Sequence, residues 1–226
     1  GLDEVESLVP DPDSLHGQYR ARHPTFAAWV QLAATPFRRI RARLGGGGDD
    51  RAFLDASRMF DVEQAAEAFL SDTQEPFFLW IHYMDAHTPY VPAPRYIREV
   101  SDGLVGTPQM LHAHTRTAFG REVTDRTLDE LETLYRAAVR QVDAGVGRLL
   151  DHLEAAGVAD DTAVVVAGDH GEEFQEHGHL AHYPKLYDEL VHVPLLVATP
   201  DGNGRRVGRQ VGLDDVPPPV AALQGG

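Results

Sequence analysis

Residues 163–189 read AVVVAGDHGEEFQEHGHLAHYPKLYDE. Ala163 to Ala167 are small or β-branched and apolar, the composition of a buried strand, and the run stops at Gly168. Asp169 and His170 then stand side by side. Gly168 and Gly171 flank them and allow the backbone to turn sharply. His177, His179 and His182 come next, and five of the chain's 12 histidines fall between His170 and His192. A carboxylate and an imidazole on a bent backbone can both reach one metal ion. Oxygen and nitrogen donors suit a divalent first-row ion, and the imidazole makes calcium less natural than manganese, zinc or iron. An isolated Asp-His pair is more simply read as a turn cap beside a surface histidine. The strand-end position and the histidine-rich loop favour the metal.

Outward from this stretch, the elements alternate. Phe60 to Leu70 has helical spacing, and Glu75-Pro76 closes it. Pro76 to Tyr83, PFFLWIHY, is dense in aromatic and β-branched residues and reads as a buried strand. Ser101 to Arg121 reads as a loop. Thr127 to Ala156 is the clearest helix, with Leu128, Leu131, Tyr135, Ala138, Val142, Val146, Leu149 and Leu153 in one apolar stripe. Thr127 with Glu130 fits a capping box, and Gly157 fits the position just past the helix end. Gly145 and Gly147 either weaken the stripe or allow close packing. A short helix covers Leu186 to Leu190, and His192 to Thr199 is a further strand. This order implies an α/β fold, a mostly parallel sheet flanked by helices. In such sheets ligands bind beyond the carboxyl ends of the strands. Asp169 and His170 lie at one such end, and Asp85 and His87 at another.

His87 sits in HTPY, where Pro89 restricts Thr88 to extended geometry. It can donate to a substrate oxygen or protonate a leaving group. Its structural alternative is a histidine bonded to backbone. Asp85 is read as a brace for this loop or as the group that orients a histidine, rather than as a metal ligand. Among the three later histidines, His182 is the functional choice. It lies just before Tyr183-Pro184-Lys185, where a cation could meet an anionic substrate. His177 and His179 are equally well read as solvated loop residues. No HExxH pattern supports a zincin.

Composition narrows the classes. The chain has 226 residues, 42% of them hydrophobic, enough for one sizeable core. Net charge is −15, from 35 acidic against 20 basic residues, which argues against a basic surface for nucleic acid. Lys185 is the sole lysine. Acid excess with lysine depletion suits the cytoplasm of a halophile and suits a GC-rich genome equally, so it leans toward a cytoplasmic location and leaves the compartment open. Cysteine is absent, so thiolate sites and a cysteine nucleophile are excluded within these residues. No apolar run approaches the roughly 20 residues that span a bilayer. Oligomeric state is left open. The run 45–50, GGGGDD, lacks the Gly-Lys-Ser/Thr ending of a phosphate loop and reads as a surface connection.

Four segments together resemble the sulfatase family of the alkaline phosphatase superfamily. They are PFFLWIHYMDAHTPYVP, VVVAGDHGEEFQEHG, LYDELVHVPLLVATP and VGLDDVPPPVAAL, in the family's order over about Phe77 to Leu223. The usual Pro-Thr of the last segment is Pro-Pro here. The resemblance implies an alkaline-phosphatase-like fold, with 1–226 a partial catalytic domain: an ill-defined part to residue 60 and an α/β core over 61–226. It implies Asp169 and His170 as ligands of a divalent ion (calcium, manganese, magnesium or zinc). It implies His87 as a contact to the sulfate or phosphate group and as catalytic donor to the leaving oxygen, and His182 or Lys185 as the later basic substrate contact. The implied activity is hydrolysis of small-molecule sulfate esters. Asp-His, where many sulfatases carry Asp-Asn, is commoner among phosphonate monoester hydrolases, phosphoglycerol transferases and alkaline phosphatases, so a phosphoester enzyme is the alternative. A noncatalytic truncated paralogue that binds an anion or a partner is the alternative of another class. The family's N-terminal acidic pair and its Cys- or Ser-Pro-x-Arg nucleophile have no match, so the N-terminal part of the domain is expected to lie outside these residues. No turnover is expected from these residues alone.

Overall fold

The computed structural model describes residues 59–73, 76–101, 123–182, 185–200, 202, 204 and 206–216. The readings of 45–50, of 102–121 and of 217–223 fall outside them. The chain divides into two compact units, Gly1–Leu149 and Leu150–Gly226.

In the first unit, α1 (Met59–Asp72) buries Met59, Ala66 and Leu70, which recur along one helical face. Helix α2 (Pro94–Val100) starts at a proline, whose missing N–H is no loss in a first turn. The long helix α3 runs Asp125–Ala156. Its entry differs from the expected capping box at Thr127. Thr124 precedes the first helical residue, and its hydroxyl lies 2.8 Å from the Thr127 hydroxyl and near the Thr127 N–H.

Two polar contacts define the face of α3. Gln141 is buried in the apolar line that contains Leu131, Leu134, Ala137 and Ala138. Its Nε2 donates to Asp85 Oδ1 at 2.6 Å, and its Oε1 accepts the Ala93 N–H at 2.7 Å. One carboxamide thus holds both ends of the 85–93 loop, and Tyr90 packs edge-on against Tyr135 beside it. Further along, Arg148 donates two hydrogen bonds to Glu63 of α1, at 2.8 and 3.0 Å. Gly145 lies next to this pair. A Cβ there would come within 2.6 Å of both Glu63 Oε1 and Met59 Cε, so this glycine permits close packing, while Gly147 faces open space. The Tyr83 phenol is pushed up to about 12, first by burial and then by the Glu63 carboxylate.

Gln141→Leu keeps the size of the side chain and removes both bonds. It strips a buried carboxylate and a buried N–H of this partner. The expected loss is about 2–3 kcal/mol of unfolding free energy, measurable by urea denaturation. Unchanged stability would show that the carboxamide contributes nothing net.

The composition of Pro76–Tyr83 predicts a buried strand. Burial instead alternates along 77–84, and Phe78 and Trp80 are exposed, at 49% and 76%. The segment is extended, but only the side holding Phe77, Leu79, Ile81 and Tyr83 is covered.

The second unit holds β1 (Val164–Ala167), β2 (Glu173–Phe174), β3 (Leu180–Ala181), the one-turn helix α4 (Asp188–Val191) and β4 (Leu195–Ala198). α3 ends in this unit, in a Schellman arrangement. Gly157 adopts φ 72°, its N–H reaches Glu154 O, and the Val158 N–H reaches Leu153 O. Strand β1 pairs with β4 antiparallel, Val164 opposite Ala198 and Ala167 opposite Leu195. Strands β2 and β3 also pair antiparallel. The described residues therefore mix helix and sheet as expected, but both described pairings are antiparallel, not parallel. The reason lies in the connection. A parallel return needs a crossover of a dozen or more residues, usually a helix. Among the described residues of 168–194 there are a tight hairpin and the four-residue α4, and no helix long enough to run back along β1 as such a crossover does. The Gly168 N–H bonds Pro194 O and the Gly171 N–H bonds Leu190 O, so the outgoing and returning chains stay side by side past the strand ends. No described helix is long and apolar enough to cross a membrane.

Candidate active site

The loop that leaves β1 is pinned closely. A Cβ on Gly171 would clash with Glu189 O, a backbone atom. Neither Gly168 nor Gly171 has positive φ, so the expected sharp turn is not their reason. Gly171 is required because two backbones nearly touch.

Asp169 and His170 project from this pinned loop. Asp169 Oδ1 accepts the His170 N–H at 3.0 Å, and Oδ2 lies 4.0 Å from His170 Nε2. His170 Nδ1 lies 2.9 Å from Gly171 O. A carbonyl only accepts, so Nδ1 carries the proton and Nε2 keeps the lone pair. That is the usual way a metal-binding histidine is oriented. Two donors, each about 2.1 Å from one ion, lie roughly 3–4 Å apart, so the 4.0 Å separation fits a shared cation.

The hairpin brings a third group. Glu173 pairs with Ala181 and Phe174 with Leu180. Extending that register by one residue places Glu172 opposite His182. Glu172 Oε1 lies 2.7 Å from His182 Nδ1, and the carboxylate is 3% exposed. The His170 and His182 rings lie 4.3 Å apart with a 34° tilt. One donor atom from each of His170, Glu172 and His182 lies within 4.8 Å of the others, a group that could hold a metal ion. Sequence reasoning missed Glu172. The one signal that could have found it is the short turn between Phe174 and Leu180, which sets the register.

The remaining histidines of the loop belong to its frame. The fully buried Glu173 carboxylate accepts the N–H groups of His177 and His179 with one oxygen, at 2.9 and 3.0 Å, closing its own hairpin. The His177 ring stacks on Tyr187 at 3.7 Å and lies 3.1 Å from Glu189 Oε2. The Glu189 carboxyl is held below the usual range by its own backbone amide and then by His177. Lys185 is exposed.

His87 belongs to the first unit and is half-buried. Its N–H reaches Met84 O, and its Nδ1 lies 2.5 Å from Thr88 O. Nδ1 therefore carries a proton here too. The Thr88-Pro89 bond is cis. Asp85 braces this loop through Gln141, as the sequence predicts.

Residues 15–226 match the protein-family model described as Sulfatase. The chain belongs to the sulfatase family. The match begins well before the motifs, which start near Phe77. Among curated sulfatase-family relatives, YidJ of Escherichia coli, an uncharacterised sulfatase, is 27% identical over 77% of this chain and 37% of its own length. The multifunctional alkaline phosphatase superfamily protein PehA of Trinickia caryophylli is 27% identical over 70% of this chain and 35% of its own. Human iduronate 2-sulfatase is 27% identical over 62% of this chain and 30% of its own. The chain thus spans about a third of the length of these relatives. Among solved structures, a phosphonate monoester hydrolase from Silicibacter pomeroyi gives a TM-score of 0.43 at 24% identity, over 62% of this chain and 33% of the other.

Proposed function

We propose that the protein containing this sulfatase-family chain is a metal-dependent hydrolase of small-molecule sulfate esters, on an alkaline-phosphatase-like fold. The observation that carries the reading is the Asp169-His170 pair at the end of β1, with Nε2 of His170 left as the donor nitrogen. Asp169 and His170 hold the cation. Bound there, it neutralises charge on the transferred group. His182 and Lys185 offer positive charge to the ester's oxygens. His87 donates a proton from Nε2 to the leaving oxygen, and Thr88 O keeps its ring oriented through Nδ1.

A phosphoester or phosphonate hydrolase is the second reading. It is favoured by the imidazole at position 170, which moves the donor set away from the all-oxygen shell that calcium prefers. The relative PehA, described as multifunctional, is consistent with it. The test compares kcat/KM of the protein on an aryl sulfate and on an aryl phosphonate, with manganese, zinc or calcium added in turn. Sulfate hydrolysis is expected to be the faster. Asp169→Ala is expected to lower it by at least the roughly 10–100-fold that loss of an outer-shell partner costs a metal enzyme. Faster phosphonate cleavage would select the second reading, and hydrolysis indifferent to Asp169→Ala would reject both.

A further inference from the structure

The loop that carries His87, residues 85–93, contains no helix or strand of its own. Pro89 and Pro92 fix φ locally, but contacts with other elements must place the loop as a whole. Two of those contacts end on one side chain of α3. Gln141 lies 56 residues from Asp85 and 48 from Ala93 along the chain. Its Nε2 donates to Asp85 Oδ1, and its Oε1 accepts the Ala93 N–H. Asp85, Ala93 and Gln141 are all buried, so water competes little for either bond.

The chemistry of the side chain suits this double task. A carboxamide donates from one atom and accepts at the other. Leucine fills a similar volume and makes neither bond, and an ionised glutamate accepts at both ends. Asp85 precedes His87 by only two residues. The His87 N–H reaches Met84 O, and its Nδ1 lies against Thr88 O. Backbone atoms of residues 84 and 88 thus aim the imidazole, and their place follows from where Asp85 is anchored. Proton transfer needs heavy atoms within about 2.6–3.2 Å of each other. A displacement of about 1 Å, even from a change remote from the chemistry, costs roughly 100-fold.

We propose that Gln141 is the positioning residue for His87: by tying both ends of the 85–93 loop to α3, it sets the imidazole for proton donation. Gln141 touches neither the ester nor the cation and acts through His87. The inference rests on the reading of His87 as the group that protonates the leaving oxygen.

The experiment measures kcat and KM for an alkyl sulfate and a nitrophenyl sulfate with the protein that contains this chain. The alkyl ester needs a proton on its leaving oxygen, and the nitrophenyl ester hardly does. Gln141→Leu is expected to lower kcat on the alkyl ester by about 10–100-fold, with KM and the nitrophenyl rate little changed. In a His87→Ala background the same substitution is expected to slow the alkyl ester no further, because it acts only through that ring. Equal losses on both esters, or the full loss repeated on top of His87→Ala, overturn the proposal. Should Gln141→Leu fail to fold, Gln141→Glu keeps the shape and the acceptor for the Ala93 N–H and removes the donor to Asp85. The same selective loss on the alkyl ester is expected, and its absence overturns the proposal. A second readout uses no ester. In nitrogen-15 NMR of histidine-labelled protein, with His87 assigned by its loss in His87→Ala, Gln141→Leu is expected to shift or broaden the His87 ring signals. Unchanged signals overturn the proposal. Shifted signals in a protein that hydrolyses nothing would sink the hydrolase reading and leave the positioning of His87 by Gln141 standing.

Discussion

Replacing His87 by alanine is expected to slow cleavage of an alkyl sulfate by about 10²–10⁴-fold, the usual contribution of a general acid. The same substitution should cost far less on a nitrophenyl sulfate. An alkoxide leaves poorly without a proton, whereas a nitrophenolate is already a good leaving group. This contrast separates proton donation from mere damage to the loop, which would slow both substrates alike. The orientation supports a donor role, because Thr88 O fixes the direction of the ring through Nδ1. The measurement is kcat for each ester with wild type and His87→Ala of the protein that contains this chain. Equal losses on both esters would remove His87 from the leaving-group step. A loss confined to KM would make it a binding group only.

Gly171→Ala is expected to destabilise the second unit by about 3 kcal/mol or more, at or beyond the usual upper range for overpacking. The added methyl would run into Glu189 O and lie 3.1 Å from Glu189 C. These are backbone atoms, so no side-chain rotation relieves the clash. Either the β1 loop or the segment leading to β4 must move, and the bond from the Gly171 N–H to Leu190 O is then lost. The residues flanking Gly171 include Asp169, His170 and Glu172, so cation binding should weaken with the fold. Chemical denaturation and a cobalt titration read the two effects. Gly168→Ala is the comparison. Its nearest contacts, Pro194 Cδ at 3.3 Å and Val193 Cβ at 3.4 Å, are side-chain atoms, and a loss smaller than at Gly171 is expected. Equal, small losses at both glycines would show that the 189–190 backbone yields easily.

Much of the frame is legible from local pattern. The stripe from Leu128 to Leu153 announces α3, and Gly157 marks its end, because a helix face and a left-handed cap are properties of neighbouring residues. The Asp169-His170 pair is legible for the same reason: an apolar run that stops at a glycine puts the next polar residues at a strand end. The direction of the strand pairing is not legible. Alternating elements suggest crossovers, but the direction of β4 depends on whether residues 168–194 cross the sheet or double back beside β1. PFFLWIHY misleads because a run rich in aromatics fits burial on both faces, while only tertiary packing shows that one face is covered.

By itself, then, the sequence determined membership of the sulfatase family, the positions of the long helix and of β1, and the residue types that can hold a cation. Tertiary structure alone decided the partners. Gln141 looks like an interruption of the apolar stripe until Asp85, 56 residues earlier, is folded against it. Glu172 looks like one acid among many until the hairpin sets it against His182, ten residues later. Periodicity reports on neighbours within a turn or two. The partner of a buried polar group is set by where the chain reverses and in what register, and no local pattern carries that information.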